Sequence, residues 1–273
     1  MSSQIEALQT QTVDYGIDAP GVRRGMLIAG ASGTVLAVAA ALAQPLGLVA
    51  PGTALRVAFG LAVVGLLAAV YGFFMGGYMT HASRIGKLRT RDRLFDEVAA
   101  LRPWQGNEAV LDVGCGRGLM LLGAAKRLSA AKSGKAVGID LWRAEDQTAN
   151  TPDAALDNAR IEAVADRVQV DTGDARALPY PDGSFDVVLS HWVVHNVESA
   201  EDRLTILDEM PRVLRPGGVI ALADIAHIKQ YQAHFELRKI AQIRLLDGCL
   251  NASLMGVLSG GSFRPQALLA RRL

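Results

Sequence analysis

The chain has 273 residues, a formal net charge of +1, and a composition that is 50% hydrophobic but only 5% aromatic. The length allows one large domain or two small ones, and the near-neutral charge argues against a general nucleic-acid partner. Its two cysteines, Cys115 and Cys249, lie far apart without metal-ligand spacing, so the sequence predicts a reducing compartment and no metal site.

Residues 1–24 form a polar N-terminal leader that is rich in small residues. We interpret about the first ten of them as disordered, because they carry little that can be buried. The stretch from Tyr15 to Gly21 is more specific in sequence than a disordered leader requires. A capping role for this stretch is left open.

Residues 25–80 are the most apolar part of the chain. No residue from Gly25 to Leu55 is charged, and after Arg56 no formal charge appears up to Thr80. Each run is long enough for the roughly 20 apolar residues that cross a bilayer, and prolines and glycines between the runs predict a turn. The sequence therefore predicts a transmembrane helical hairpin, with helices at about 25–43 and 55–79; two buried helices of a soluble protein are the alternative. Small residues along both helices predict close packing: Gly30, Gly33, Ala37, Ala41, Gly60 and Gly65.

Basic residues flank the hairpin on both sides. Arg23 and Arg24 precede it, and a second cluster follows it: Arg84, Lys87, Arg89, Arg91 and Arg93. The positive-inside rule places both termini and the domain that follows in the cytoplasm, at the cell (inner) membrane. A cleaved export signal is the alternative, and it fits poorly because a second apolar run follows the first at once.

Residues 81–104 are predicted to form an amphipathic basic linker helix. Apolar residues recur in it at helical spacing: Ile85, Leu88, Phe95, Val98 and Leu101. Its basic residues either form an ordinary solvated face or contact anionic lipid headgroups.

A glycine-rich turn follows a short apolar strand at about 109–113. Asp112 ends the strand region, and Gly114, Gly116 and Gly118 allow a ligand to approach the backbone closely. A helix from Leu119 to about 131 directs its free N–H groups at that turn. The third glycine lies one residue too early for a dinucleotide-binding turn, so an oxidoreductase is disfavoured.

Beyond this turn, strands alternate with helices, which indicates a parallel sheet covered on both faces. Thr151 and Pro152 are typical of a helix start. We predict strands at about 136–140, 167–171, 185–190 and 218–224. The stretch from Gly248 to Phe263 is either a long loop or part of a substrate wall.

Five motifs in order resemble those of the class I S-adenosylmethionine-dependent methyltransferases, of the quinone and sterol small-molecule type. They are Asp112-Val113-Gly114-Cys115-Gly116-Arg117-Gly118, Val137-Gly138-Ile139-Asp140, Gly173-Asp174-Ala175, Phe185 to Ser190, and Leu214-Arg215-Pro216-Gly217-Gly218. The resemblance implies an α/β fold over residues 105–273: a Rossmann-like seven-stranded sheet with helices on both faces, preceded by the transmembrane helical hairpin. Segments at about 240–246 and 266–271 then supply the sixth strand and the antiparallel seventh.

The resemblance also implies S-adenosyl-L-methionine as the cofactor and a role for each motif. The glycines admit the cofactor, Asp140 accepts hydrogen bonds from its ribose, and Asp174 accepts one from its adenine. Asp112 either orients the turn or contacts the cofactor. The full set of expected cofactor-binding residues is Asp112, Gly114, Cys115, Gly116, Gly118, Asp140, Leu141, Trp142, Asp174, Ala175 and Ser190.

Residues after the fourth strand are expected to face the methyl acceptor. His191 and His195 are the candidate catalytic residues, because an imidazole can remove a proton from a hydroxyl or nitrogen acceptor near neutral pH. Either histidine can instead serve only to hydrogen-bond the loop backbone. Asp224 and His227, at the end of the fifth strand, are weaker acceptor-side candidates.

The sequence thus predicts a membrane-anchored methyltransferase that moves a methyl group to a small or lipid-type acceptor, without a nucleic-acid partner. One alternative is a methyltransferase of soluble metabolites that is merely tethered to the membrane. Another is a non-catalytic membrane scaffold that retains the cofactor fold. The presence of the glycines and of both acidic cofactor residues favours an enzyme.

Overall fold

The computed structural model describes residues 12–246, 256–260 and 263–273. The predicted disorder of the first residues, most of the predicted loop from Gly248 to Phe263, and Cys249 lie outside the described residues. Contacts within the chain define two compact units. Among the described residues, the helical unit comprises residues 16–87 and 144–148, and the sheet unit comprises residues 12–15, 88–143, 149–246, 256–260 and 263–273.

Two long antiparallel helices dominate the helical unit: α1 spans Pro20–Leu42 and α2 spans Thr53–His81. A Cβ atom at Gly33 or at Gly65 would lie 2.6 Å from a backbone nitrogen of the facing helix, so these glycines allow the close packing that the sequence predicts. Gly60 faces open space instead, and Gly72 is a close-packing glycine that the sequence analysis missed. Only the glycines on the facing sides of the two helices matter for their approach.

The predicted linker helix is present but begins with a π-helical turn at Ala82–Gly86, followed by α3 at Lys87–Leu101. Lys87 is only 2% exposed, so it belongs neither to a solvated basic face nor to one that contacts lipid headgroups, the two alternatives that the sequence leaves open. Arg84, Arg89 and Arg93 are exposed. The burial of Lys87 has a specific cause within the helical unit, described below.

The described residues of the sheet unit form a seven-stranded sheet in the order β3-β2-β1-β4-β5-β7-β6. The strands are β1 Ala109–Val113, β2 Lys135–Asp140, β3 Val168–Thr172, β4 Phe185–His191, β5 Leu214–Asp224, β6 Ala241–Leu246 and β7 Gln266–Arg271. Strands β1 to β5 pair in parallel, and β7 is antiparallel to both of its neighbours, β5 and β6. The predicted seven-stranded sheet with an antiparallel last strand is confirmed.

One difference concerns the start of β5. The sequence predicts a turn at 214–218, but Leu214 already pairs with Phe185, and the register then shifts before Val187 pairs with Val219. The glycine-containing segment is therefore an irregularity inside a longer strand.

Two apolar layers cover the sheet, and alternate residues of β1 contribute to each. Val110 packs with α3 and with α4, which spans Leu119–Ala125. Leu111 and Val113 pack with α6 at Ala200–Val213 and with α7 at Ile228–Leu237. This alternation explains why the strand is apolar on both sides.

The remaining helix of the sheet unit, α5, spans Pro152–Ile161 and begins as predicted, because Thr151 Oγ1 accepts a hydrogen bond from the Ala154 N–H at 3.2 Å.

Helix α4 ends earlier than predicted. The N–H groups of Arg127 and Leu128 bond to carbonyls three residues back, which tightens and terminates the last turn. Short 3₁₀ turns lie at Ala165–Arg167 and Val194–Asn196.

Candidate active site

The carboxyl ends of β1, β2 and β4 meet where the strand order reverses, which is where ligands bind in open α/β sheets. Val113 pairs with Ile139 on one side and with Ser190 on the other. Asp112, Asp140 and Ser190 are therefore brought to one edge of the sheet, as the sequence predicts.

The glycine-rich turn is held by β2. The N–H groups of Gly114 and Cys115 both donate to the Ile139 carbonyl oxygen, at 2.8 and 3.2 Å. Gly114, Gly116 and Gly118 have φ angles of 73°, 49° and 90°, which favour glycine. Gly114 has a second reason to lack a side chain, because a Cβ there would lie 2.3 Å from Val193 Cγ2.

Cys115 lies buried within this turn. Burial raises the pKa of its thiol well above the ordinary value, and the negative charges of Asp112 and Asp140 raise it further. The residue is therefore an uncharged, apolar part of the turn and not a reactive thiolate.

Asp112 performs the orienting role and still keeps one oxygen available. Its side chain is buried, and Oδ2 accepts the Leu121 N–H at 2.8 Å, which ties β1 to the first turn of α4. Within the described part of the chain, Oδ1 is buried without a hydrogen-bond partner. Burial raises the pKa of this carboxyl to about 8, opposed by the Leu121 N–H and reinforced by the charge of Asp140. An unpartnered buried oxygen of this kind fits a cationic ligand group.

Asp140 joins the glycine-rich turn to the loop after β2. Oδ2 accepts the Gly116 N–H at 2.8 Å, and Oδ1 accepts the Trp142 N–H at 2.6 Å and the Asn150 side-chain amide at 3.4 Å. Trp142 adopts a left-handed φ of 60°, and its indole N–H donates to Thr172 Oγ1 at 2.8 Å. The carboxylate thus fixes the geometry of the cleft edge where the ribose is expected.

The other predicted adenine-side residues lie at the surface or beside the core. Leu141 is exposed, and Ala175 packs at the margin of the layer that contains α6. The Asp174 carboxylate is bound by Arg176 through its backbone N–H at 2.9 Å and its guanidinium at 2.6 Å. These hydrogen bonds lower the pKa of Asp174, so the group is ionised at neutral pH but already has an intramolecular partner. Its role toward adenine stays a prediction.

A His–Asp pair lies on the acceptor side. His195 Nδ1 contacts Asp224 Oδ1, and the His195 backbone N–H donates to Asp224 Oδ2 at 3.0 Å. Asp224 also accepts the Ile225 N–H at 2.8 Å and the Tyr231 hydroxyl at 3.2 Å, and it is fully buried. The structure therefore joins His195 to Asp224, which sequence reasoning treated as a weaker candidate, and adds Tyr231, which it missed.

Ser190 and His191 precede this pair at the end of β4. Ser190 Oγ is buried and lacks a hydrogen-bond partner among the residues that the structure describes. The His191 ring stacks on Trp192 with ring centroids 4.9 Å apart, and Trp192 contacts Phe263 edge-on at 5.9 Å. Trp192 and His227 have left-handed φ angles of 60° and 61°, a strain that concentrates at functional sites.

Comparisons with known proteins agree with this geometry. Residues 111–222 match the sequence family described as a methyltransferase domain. The chain is 37% identical over 132 residues to 27-O-demethylrifamycin SV methyltransferase of Amycolatopsis mediterranei, covering 48% of this chain and 44% of that protein. It is 30% identical over 199 residues to norajmaline N-methyltransferase of Rauvolfia serpentina, covering 70% of this chain and 62% of that protein. The chain thus spans about half the length of these curated relatives.

Among solved structures, geranyl diphosphate C-methyltransferase from Streptomyces coelicolor A3(2), in complex with S-adenosyl-L-homocysteine, superposes with a TM-score of 0.52 at 15% identity. The match covers 68% of this chain and 78% of that chain, and at this identity it shows a shared fold. Together, the comparisons support a methyltransferase domain around residues 111–222, and the shared fold is that of an enzyme solved with S-adenosyl-L-homocysteine.

Proposed function

We propose that this chain, whose residues 111–222 match a methyltransferase domain, methylates the hydroxyl of a small apolar acceptor and is anchored in the cytoplasmic membrane by α1 and α2. The observation that carries the chemical part of the proposal is the pairing of His195 with the buried Asp224. The residues expected to hold the cofactor fit it: a glycine-rich turn, an unpartnered oxygen of Asp112, and the Asp140 carboxylate.

When bound, S-adenosylmethionine supplies a methyl group on a positively charged sulfur. The protein's own contribution is to align the acceptor, exclude water and, for a hydroxyl acceptor, remove a proton. Ser190 lies near the end of β4, and the ring of Trp192, which directly follows the strand, stacks on His191.

The geometry of the pair makes His195 suited to removing that proton. A carboxylate only accepts hydrogen bonds, so the Asp224 contact assigns the ring hydrogen to Nδ1 and leaves Nε2 as the acceptor. Asp224 is itself held by the Ile225 N–H and the Tyr231 hydroxyl, which fix its orientation. After proton transfer, the buried carboxylate stabilises the imidazolium, a role that a backbone-bonding histidine does not have.

A transfer assay tests this role. Labelled S-adenosylmethionine is incubated with the detergent-solubilised chain and a membrane lipid extract, using wild type, His195→Ala and Asp224→Asn. General-base removal costs on the order of 10²–10⁴ in rate, so we expect that loss at pH 7 with unchanged S-adenosylhomocysteine affinity. Raising the pH is expected to restore part of the His195→Ala activity, since hydroxide from the solvent can then take the proton of the acceptor hydroxyl in place of the imidazole. Equal transfer rates for all three proteins would reject the role of His195.

The membrane part of the proposal is supported by the helical unit. Helices α1 and α2 contain 23 and 29 residues, or about 35 and 43 Å at 1.5 Å per residue, whereas the hydrocarbon core is about 30 Å thick. Their outward residues include large apolar side chains such as Val35 and Phe59, which are 69% and 71% exposed. Both helices are long and apolar enough to cross a membrane by length and composition.

Labelling of introduced cysteines tests this topology. Leu48 lies in the turn between α1 and α2, and Arg89 is exposed on α3. The proposal predicts that a membrane-impermeant maleimide labels Leu48→Cys in intact cells but labels Arg89→Cys only after permeabilisation. Recovery of the protein in the soluble fraction would favour the alternative of two helices in a soluble protein.

A further inference from the structure

The segment from residue 12 to residue 19, here called the strap, is ordered although it forms no helix of its own. Tyr15 is buried at 7% exposure, and its hydroxyl donates to Oε1 of Glu162, the residue that follows α5, at 3.1 Å. Val13 packs against the same apolar layer. Ordering an extended backbone costs conformational entropy, so contacts of this kind are needed to hold the strap in place.

Asn158 holds the first half of the strap within the sheet unit. Its Oδ1 accepts the Asp14 backbone N–H at 3.2 Å, and its Nδ2 donates to the Asp14 carbonyl oxygen at 2.9 Å. The same Nδ2 also donates to the carbonyl oxygen of Arg117 at 2.9 Å. Asn158 is 3% exposed, so one buried side-chain amide binds both the strap and the glycine-rich turn.

Arg117, between Gly116 and Gly118 in that turn, contacts the strap directly. Its Nε donates to the Asp14 carbonyl oxygen at 2.7 Å, and its guanidinium pairs with the Asp14 carboxylate at 3.2 Å. Asn158, which also binds the strap, thus holds the backbone of Arg117, and Asp14 of the strap itself holds its side chain. The preceding residue, Gly116, donates its N–H to Asp140.

The second half of the strap is held separately, within the helical unit. The Lys87 ammonium group donates to the Gly16 carbonyl oxygen at 2.9 Å and pairs with the Asp18 carboxylate at 3.3 Å. Ser83 Oγ, in the π-helical turn, accepts the Asp18 N–H at 3.1 Å. Ile17 exchanges two hydrogen bonds with Thr148, whose hydroxyl accepts at 2.9 Å and whose N–H donates at 3.1 Å. These contacts explain the burial of Lys87.

We propose that the strap positions the glycine-rich turn for the cofactor, and that Arg117, Asn158 and Lys87 are positioning residues that set the affinity for S-adenosylmethionine without touching it. The proposal rests on the assignment of this turn to the cofactor. Lys87 holds the strap at residues 16 and 18, and Asn158 holds it at residue 14. Because the chain is continuous between these points, loosening either end reduces the order of the turn.

Linkage makes this testable in both directions. If the seated strap favours cofactor binding, then bound cofactor must favour the seated strap by the same factor. A merely structural strap has no such reciprocity, because its order is independent of the cofactor.

The first experiment titrates S-adenosylhomocysteine into the detergent-solubilised full chain by calorimetry, with Asn158→Ala and Lys87→Met as test variants. Arg160→Ala is the matched control, since Arg160 lies on α5 and its side chain, within the described part of the chain, pairs only with Asp157 at the surface. We expect S-adenosylhomocysteine to bind about tenfold more weakly to each test variant, because the loss of one buried hydrogen-bonding group typically has an effect of that size. Binding to the control variant is expected to be unchanged. Thermal unfolding of each cofactor-free protein identifies any variant that has failed to fold.

The second experiment uses the wild type alone, so it does not depend on any variant folding. Amide hydrogen exchange of Asp14, Ile17 and Asp18 is measured with and without saturating S-adenosylhomocysteine. We expect at least about tenfold slower exchange in its presence, matching the affinity change by reciprocity.

Exchange rates that are equal with and without ligand, or folded variants that bind as tightly as wild type, would overturn the strap proposal and leave the proposed function intact. A folded wild type that binds no S-adenosylhomocysteine would contradict both.

Discussion

The buried carboxyl of Asp112 gives the most quantitative prediction, tested by Asp112→Asn. In the folded protein its pKa is raised to about 8 by burial, against an ordinary value of 3.8. The folded state therefore retains a proton that the unfolded state loses between these two pH values. Asparagine resembles the protonated acid, since its carbonyl oxygen can still accept the Leu121 N–H.

The sign and size of the effect follow from linkage. The contribution of Asp112 to the stability of the cofactor-free protein is complete below about pH 4 and is lost as the pH rises through about 8, at about 1.4 kcal/mol per pH unit. Between pH 5 and pH 8, wild type should therefore lose about 3–4 kcal/mol of unfolding free energy relative to Asp112→Asn.

Unfolding free energies of both proteins, measured by urea titration at pH 5, 6, 7 and 8, check this prediction. A difference between wild type and variant that stays constant to about 0.5 kcal/mol across this range would refute the reasoning. A cationic group placed beside the unpartnered Oδ1 should lower this pKa again. Binding of S-adenosylhomocysteine near pH 7 is thus expected to release a proton, which calorimetry in buffers of different ionisation enthalpy detects.

Three further changes probe other parts of the account. Gly114→Ala places a Cβ 2.3 Å from Val193 Cγ2 at a φ of 73°, so we expect a loss of about 1–3 kcal/mol in urea unfolding. Gly65→Leu should separate the two long helices, whereas Gly60→Leu should not, because Gly60 faces open space. Fluorescence transfer between one label on each helix, measured in vesicles, should fall in the Gly65 variant and stay unchanged in the Gly60 variant. Asp174→Ala should weaken S-adenosylhomocysteine binding in calorimetry by less than about tenfold, because its carboxylate is already paired with Arg176.

The sheet was predictable because its signals are local. The strand at 109–113 has the bounds that the sequence predicts, since an apolar run ended by glycine defines a buried strand. The strand at 266–271 also has its predicted bounds, but that prediction came from the resemblance to the methyltransferase family. The N-cap at Thr151 was predictable for the same reason. The bounds of β5 were not, because proline and glycine at 216–218 indicate a turn while the pairing with β4 that extends the strand involves residues distant in sequence.

The parts of the site that the sequence left open depend on long-range contacts. Asp224 and His195 are 29 residues apart, and only the parallel pairing of β4 with β5 brings them together. Lys87 belongs to a basic cluster in the sequence, yet it is buried by partners about 70 residues earlier in the chain. The sequence from Tyr15 to Gly21 indicates only that this stretch is more specific than a disordered leader. It does not predict that Tyr15 is buried or that Asn158 binds the strap.

The most direct test of the account is the titration of S-adenosylhomocysteine into wild type and Asp140→Ala. Asp140 holds the glycine-rich turn and the loop after β2 through hydrogen bonds of 2.8 and 2.6 Å, and it is the expected partner of the ribose. Hydrogen bonds to a charged group contribute about 1.5–3 kcal/mol each, so we predict binding by wild type and at least about 100-fold weaker binding by the variant. A folded wild type that does not bind, or a variant that binds equally well, would contradict the assignment of this site to the cofactor.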